Sequence, residues 1–313
     1  MPVKVLVCDP IETAGIQILR KAGFEVDEKP TVSREELLKM VDQYDALLVR
    51  GRTKVTKEVI QAGRRLKAIV RAGVGVDNID TEFAKENGIQ VLSTPAASTV
   101  SVAELTICLM LNVLRQVSLA DRSMKEGKWI KPMLLGRELR GRTVGVVGAG
   151  GRIGGEVARI LKEGFGANVV AYDVIDIRAR AAELGMQLAK DLDDLVANCD
   201  IVTIHVPYSK ATHHMFDAKR IAKMKKGSIL INTSRGDIVD GQALLEAIKQ
   251  RRISGAGLDV FHDEPPKEEW EKELVSLPDG VTVCTCHIGA QTLECQNTAS
   301  VMAAETLVKI MKP

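Results

Sequence analysis

Short runs of β-branched and aliphatic residues alternate with helical patterns along almost the whole chain. Val3–Val7 is strand-like and leads into a helical stretch ending near Gly23. Ala46–Val49, Ala68–Val70 and Ile89–Leu92 repeat the theme. These runs lack clean polar–apolar alternation, as expected of parallel strands covered by helices on both faces. A second series starts at Thr143, with strands expected at Val144–Val147, Val169–Tyr172, Ile201–Ile204, Ile229–Ile231, Ala256–Leu258 and Val281–Cys284. Six runs at this spacing suit a complete doubly wound nucleotide-binding sheet. Between the two series, the Ser/Thr/Pro/Ala-rich stretch Ser93–Ser101 reads as a hinge and domain crossing. Ser101 and Glu104 there have the spacing of a capping box for a long helix. The pattern predicts two α/β domains, a discontinuous one over residues 1–97 and 289–313, and a second over 98–288. The tail from Ala290 is read as one more helix packed back on the first domain.

Composition narrows the function. Hydrophobic residues are 45% and charged residues 27% of 313, the balance of a soluble globular protein. A formal net charge of +2 and an aromatic content of 3% give no footing for nucleic acid. The apolar stretch Val102–Leu119 carries Glu104, Asn112 and Arg115, a poor membrane span. The N-terminus lacks a signal-peptide layout. Six irregularly spaced cysteines predict a reducing compartment, and the cytoplasm is the expected location. Cys284 and Cys286 alternate along a strand and would share one face, yet no second pair closes a tetrahedral site with them, His287 or Cys295, so no metal is expected. His213-His214 reads as a solvated turn and His205 as structural, while His262 is left without a role.

Residues 144–154 form a strand, a glycine-rich turn and a helix start. Gly148 and Gly150 would let a pyrophosphate approach the backbone, with the helix N-terminus supplying N–H donors. The turn departs from G-x-G-x-x-G by one residue. Either it bulges between Gly150 and Gly154, or Ala149 takes the first glycine's place. Asp173 ends the next strand, roughly twenty residues on, where a carboxylate binds the ribose hydroxyls and repels a 2′-phosphate. NAD is therefore expected over NADP.

Arg235, Glu264 and His287 each follow one of three consecutive strands of the second series. Carboxyl ends of parallel strands face one crevice, so the three should converge. Oxidising a 2-hydroxy acid needs a base for the hydroxyl proton, and histidine beside a carboxylate suits it. Arginine grips a substrate carboxylate with a two-pronged fork and polarises the forming carbonyl. Each residue alone has an ordinary reading, as a surface ion pair, a turn acid or a helix cap.

With these residues in view, the chain resembles the D-isomer-specific 2-hydroxyacid dehydrogenases. The runs that carry the resemblance are Arg71–Asp80, Gly148–Gly154, His205-Val-Pro207 with Thr212, Asn232–Gly236, Gly257–Val260 with Glu264-Pro265, and His287–Ala290. It implies a Rossmann NAD domain and a flavodoxin-like substrate domain. Catalytic roles would fall on Arg235, Glu264 and His287. Arg152 and Ile153 would meet the pyrophosphate, Pro207 and Thr212 would lie beside the cofactor, Thr233 and Asp259 would hold its nicotinamide end, and Gly289 would be a further cofactor contact. Backbone N–H groups of Val74 and Gly75 would bind the substrate carboxylate.

Within the family, the branch acting on 3-phosphoglycerate in serine biosynthesis is the expectation. Arg50, at the end of its strand, and Lys131, after Trp129, are the cations it would set on a substrate phosphate. A homodimer formed through the Ser101–Gly141 region is also implied, without the regulatory domain some members carry. Four departures bear on this: the longer glycine turn, Val74 in place of a common threonine, Cys286 in place of proline, and Pro95-Ala-Ala-Ser98 lacking a Gly-Asn pair. A glyoxylate or hydroxypyruvate reductase is the alternative, and an NAD-sensing corepressor-like binding protein a further one.

Overall fold

Aliphatic runs with polar turns between them become the inner strands of two parallel sheets. The computed structural model describes residues 2–312, so Met1 and Pro313, the outermost residues of the first domain's two segments, lie outside it. The chain divides into two units, residues 1–98 with 290–313, and residues 99–289. Each crossing lies one residue beyond the boundary expected from sequence.

The first unit holds β1 (Lys4–Val7), β2 (Glu25–Glu28), β3 (Ala46–Val49), β4 (Ala68–Arg71) and β5 (Gln90–Ser93). They pair in the parallel order β2-β1-β3-β4-β5, the flavodoxin-like arrangement. β3 is buried throughout, which its unbroken Ala-Leu-Leu-Val sequence requires. The Leu293–Met311 helix packs on the Thr13–Lys21 helix. The Ser300 hydroxyl ties them, accepting from the Glu12 N–H at 3.1 Å and donating to the Gln296 carbonyl at 2.8 Å.

The second unit holds β6 (Thr143–Val147), β7 (Asn168–Tyr172), β8 (Gln187–Leu188), β9 (Ile201–Ile204), β10 (Ser228–Asn232), β11 (Ile253–Leu258) and β12 (Thr282–Cys284). Their order, β12-β11-β10-β9-β6-β7-β8, is the Rossmann order with one strand added beyond β11. Val146 pairs with Thr203 and Ile231 with Thr203 on the other side, so β9 is central and buried throughout. Helices cover both faces of the sheet.

Three expectations need correction. β2 and β8 were not foreseen; both are edge strands with largely exposed residues, and one ladder suffices to hold them. The long helix starts at Thr99, so Ser101 is not its cap. The Ser101 hydroxyl instead donates to the Gly289 carbonyl at 2.5 Å. Cys286 lies past the end of β12 and does not share a strand face with Cys284. Among the described residues no single helix is long and apolar enough to cross a membrane; the Thr99–Arg115 helix ends at Gln116, where φ is 53°.

Candidate active site

The glycine turn follows β6, and its geometry decides between the two readings left open by sequence. Gly148 has φ +85°, and a Cβ there would lie 2.5 Å from the His205 carbonyl oxygen. It is therefore the turn glycine, and Ala149 is not its substitute. A Cβ on Gly154 would meet the Gly148 carbonyl at 2.2 Å, so Gly154 is the glycine of close helix–strand contact. The extra residue thus lies between Gly150 and Gly154. Gly151 begins the Arg152–Arg159 helix, and no side chain caps it. The N–H groups of Arg152 and Ile153 have no acceptor among the described residues, the arrangement a pyrophosphate requires. Asp173 sits beside this turn, accepting from the Gly150 N–H at 2.9 Å.

Further along the same strand ends, the Thr212 hydroxyl donates to the Pro207 carbonyl at 2.8 Å and closes that turn. Thr233 is buried, its hydroxyl 3.0 Å from that of Thr106. His205 bonds the Thr203 hydroxyl through Nε2 at 2.9 Å. Although the residue keeps some exposed surface, burial of its ring pushes its pKa from 6.5 down to about 3. Between those values the unfolded chain binds a proton that the folded one refuses. Stability should therefore fall as pH drops below 6.5 toward the folded value. The urea midpoint should decline over that window, and less steeply in His205→Gln; identical slopes would remove His205 as a cause. His213 and His214 stack at 4.0 Å in an exposed turn.

The three polar residues after β10, β11 and β12 come together in part through one buried acid. Asp259 is 1% exposed. Its carboxylate accepts from the Ile288 N–H and the Gly289 N–H, each at 2.9 Å, and from the Thr285 hydroxyl at 2.6 Å. Its carbonyl accepts from the His287 N–H at 2.9 Å. These bonds hold His287 at φ 55°, a left-handed conformation uncommon outside glycine. In that pose His287 Nδ1 lies 2.7 Å from Glu264 Oε2. Burial pushes the Glu264 carboxyl up, but the His287 bond and charge, the Phe261 N–H and the Arg235 charge hold it below its ordinary range. Arg235 is thus within electrostatic reach of Glu264. Its turn is shaped by Asn232, whose side chain donates to the Arg235 carbonyl at 2.8 Å and accepts from the Ser234 N–H at 3.0 Å.

The sequence reading gave no role to Asn232, Thr285 or Asp237. Only Asn232 carried a local signal, as the side chain that folds its own turn. Asp237 lies 2.5 Å from His262 Nδ1.

In the first unit, the Val74 and Gly75 N–H groups donate to no acceptor among the described residues. Arg50 follows β3 and is half-buried, while Lys131 is exposed at the start of a 3-10 turn.

A parallel sheet of Rossmann order, a glycine turn before an uncapped helix and a histidine–carboxylate pair with an arginine in electrostatic reach lie in one unit of the chain. The family model for the D-isomer specific 2-hydroxyacid dehydrogenase NAD binding domain matches residues 107–289. The D-3-phosphoglycerate dehydrogenase of Archaeoglobus fulgidus is 46% identical over 99% of this chain and 57% of its own length. The hydroxypyruvate reductase of Thermotoga maritima is 43% identical over 98% of this chain and 97% of its own length. The structure of D-lactate dehydrogenase from Aquifex aeolicus, complexed with NAD and lactic acid, is similar with a TM-score of 0.83 and 30% identity, covering 99% of this chain and 94% of that one. The chain belongs to the D-isomer-specific 2-hydroxyacid dehydrogenase family and carries its NAD binding domain. It spans little more than half the length of the Archaeoglobus relative.

Proposed function

We propose that the chain oxidises 3-phosphoglycerate to 3-phosphohydroxypyruvate, the reaction that opens serine biosynthesis. The observation that carries the chemistry is the 2.7 Å bond between His287 Nδ1 and Glu264 Oε2. An ionised Glu264 only accepts, so Nδ1 carries the proton and Nε2 is left as the base. His287 Nε2 would take the C2 hydroxyl proton, and Glu264 would stabilise the imidazolium formed. Arg235 would bind the substrate carboxylate and polarise the nascent carbonyl. NAD, when bound, supplies the acceptor for the hydride leaving C2.

Gly148, Gly150, Arg152 and Ile153 would cradle its pyrophosphate, and Asp173 would bind the adenosine ribose. Pro207, Thr212 and Gly289 would also contact it, with Thr233 and Asp259 at the nicotinamide end. Val74 and Gly75 would donate N–H groups to the substrate carboxylate, and Arg50 with Lys131 would meet its phosphate. A homodimer is supported by the apolar surface of Val117, Met124, Trp129, Met133 and Leu135, each more than half exposed. Free thiols at all six cysteines support a cytoplasmic location.

A second reading, hydroxypyruvate or glyoxylate reduction, is favoured by the 43% identity to the Thermotoga reductase. The test is NADH oxidation with 3-phosphohydroxypyruvate, hydroxypyruvate and glyoxylate, repeated with NADPH. The highest kcat/KM should belong to the phosphorylated acid with NADH. Preference for glyoxylate would establish the reductase. Tight NADH binding with no turnover of any 2-oxo acid would make the chain a cofactor-sensing binding protein instead.

A further inference from the structure

The turn after β10 carries Arg235 and the turn after β11 carries Glu264, and the two run directly against each other. A Cβ on Gly236 would lie 2.1 Å from the Phe261 carbonyl carbon and 2.5 Å from the His262 nitrogen. One residue further along each turn, Asp237 Oδ1 meets His262 Nδ1 at 2.5 Å. The neighbour of His262, Phe261, donates its N–H to Glu264 Oε1 at 3.3 Å, while Glu264 Oε2 engages His287. The far end of the Glu264 turn is anchored separately. There the buried Glu271 carboxylate accepts from the Asp263 N–H at 2.9 Å and the Lys267 N–H at 3.1 Å. The Asp237 carbonyl is likewise held, accepting from the His214 N–H at 2.8 Å.

We propose that His262 and Asp237 form a positioning pair, a side-chain bridge that sets the spacing between the Arg235 turn and the Glu264 turn. This rests on the roles assigned above to Arg235, Glu264 and His287. Neither member of the pair is given contact with substrate or cofactor. Both are partly exposed, and such pairs add little to stability. Their consequence is geometric, because small displacements of catalytic groups are costly in rate.

The bridge also responds to pH. The Asp237 hydrogen bond raises the His262 pKa, burial opposes it, and the charges of Asp237, Glu271 and Asp263 add to the rise. Lys267, on the same turn, is engaged by Asp263 at 3.1 Å. With its folded pKa raised, His262 holds its charge below the ordinary imidazole range and loses it as pH climbs through the raised value. Catalytic turnover should carry an alkaline fall from this source.

The test uses the full chain with Asp237→Asn, His262→Ala, their double variant and His262→Asn. Each of the first two should lower kcat about tenfold with NADH affinity unchanged, and the double variant should be no worse than either. His262→Asn, a donor that does not titrate, should keep most of kcat and flatten the alkaline fall. Independently of turnover, the His287 imidazole NMR resonances of Asp237→Asn should move at fixed pH, because the Glu264 turn loses its brace. Unmoved resonances with wild-type kcat, or losses that simply add in the double variant, would overturn the pair's role. His287→Ala distinguishes the underlying reading: full activity in that variant rejects the site, while the resonance shift still decides the brace.

Discussion

Replacing His287 by alanine should lower kcat by roughly two to four orders of magnitude, the usual worth of a positioned general acid–base. The expectation comes from how the residue is held. Its ring is fixed through Nδ1 by Glu264 at 2.7 Å, which would leave Nε2 to exchange the substrate proton. The loop under it is fixed by main-chain bonds to Asp259, from His287, Ile288 and Gly289, none of which involves the imidazole. Removing the ring therefore leaves the loop in place, and NADH affinity should largely survive. Arg235 would still orient the substrate, so the residual rate should not vanish. Glu264→Gln keeps the shape and removes the charge that would stabilise the imidazolium formed in the reaction, and it should lower kcat. Stopped-flow measurement of hydride transfer separates these effects from product release. Unchanged transfer in His287→Ala would reject the assignment.

What the sequence made legible follows from where information is local. The inner strands could be read because burial on both faces demands unbroken aliphatic runs, as in Ala46–Val49 and Ile201–Ile204. Glu25–Glu28 and Gln187–Leu188 could not, since an edge strand with exposed residues needs neither apolar content nor alternation. The helix start at Thr99 was misread because Ser101 and Glu104 fit a capping box locally, while the partner that takes the Ser101 hydroxyl lies 188 residues away. That Arg235, Glu264 and His287 each follow a strand of the second series was legible. Their geometry was not. Asp259 was read as a cofactor contact, and its grip on Ile288 and Gly289 spans 29 and 30 residues. His262 had no role in sequence because Asp237 is 25 residues away, in another turn.

Arg50→Ala should cut kcat/KM for 3-phosphohydroxypyruvate roughly tenfold to a hundredfold, the equivalent of one charge-assisted contact of about 1.5–3 kcal/mol. Glyoxylate and hydroxypyruvate, which carry no phosphate, should lose far less. The contrast with a near neighbour supports this choice of cation. The Arg52 guanidinium is committed within the fold, donating to the Cys8 and Pro30 carbonyls at 2.6 and 2.9 Å and pairing with Asp9 at 3.2 Å. The Arg50 guanidinium makes no hydrogen bond or ion pair among the described residues. Burial draws its pKa down, against the opposing charges of Cys295, Asp9 and Glu12, yet an arginine stays protonated at any working pH. A half-buried cation with its donors unspent suits a dianionic ligand. Its backbone is secured independently, with its N–H donating to the buried Asp9 at 2.5 Å and its carbonyl accepting from the Asn78 amide at 2.9 Å. Alanine keeps both bonds, so a loss of activity should report the missing charge and not a disturbed strand end. Equal losses on all three acids would reject a phosphate contact at Arg50 and favour the reductase reading.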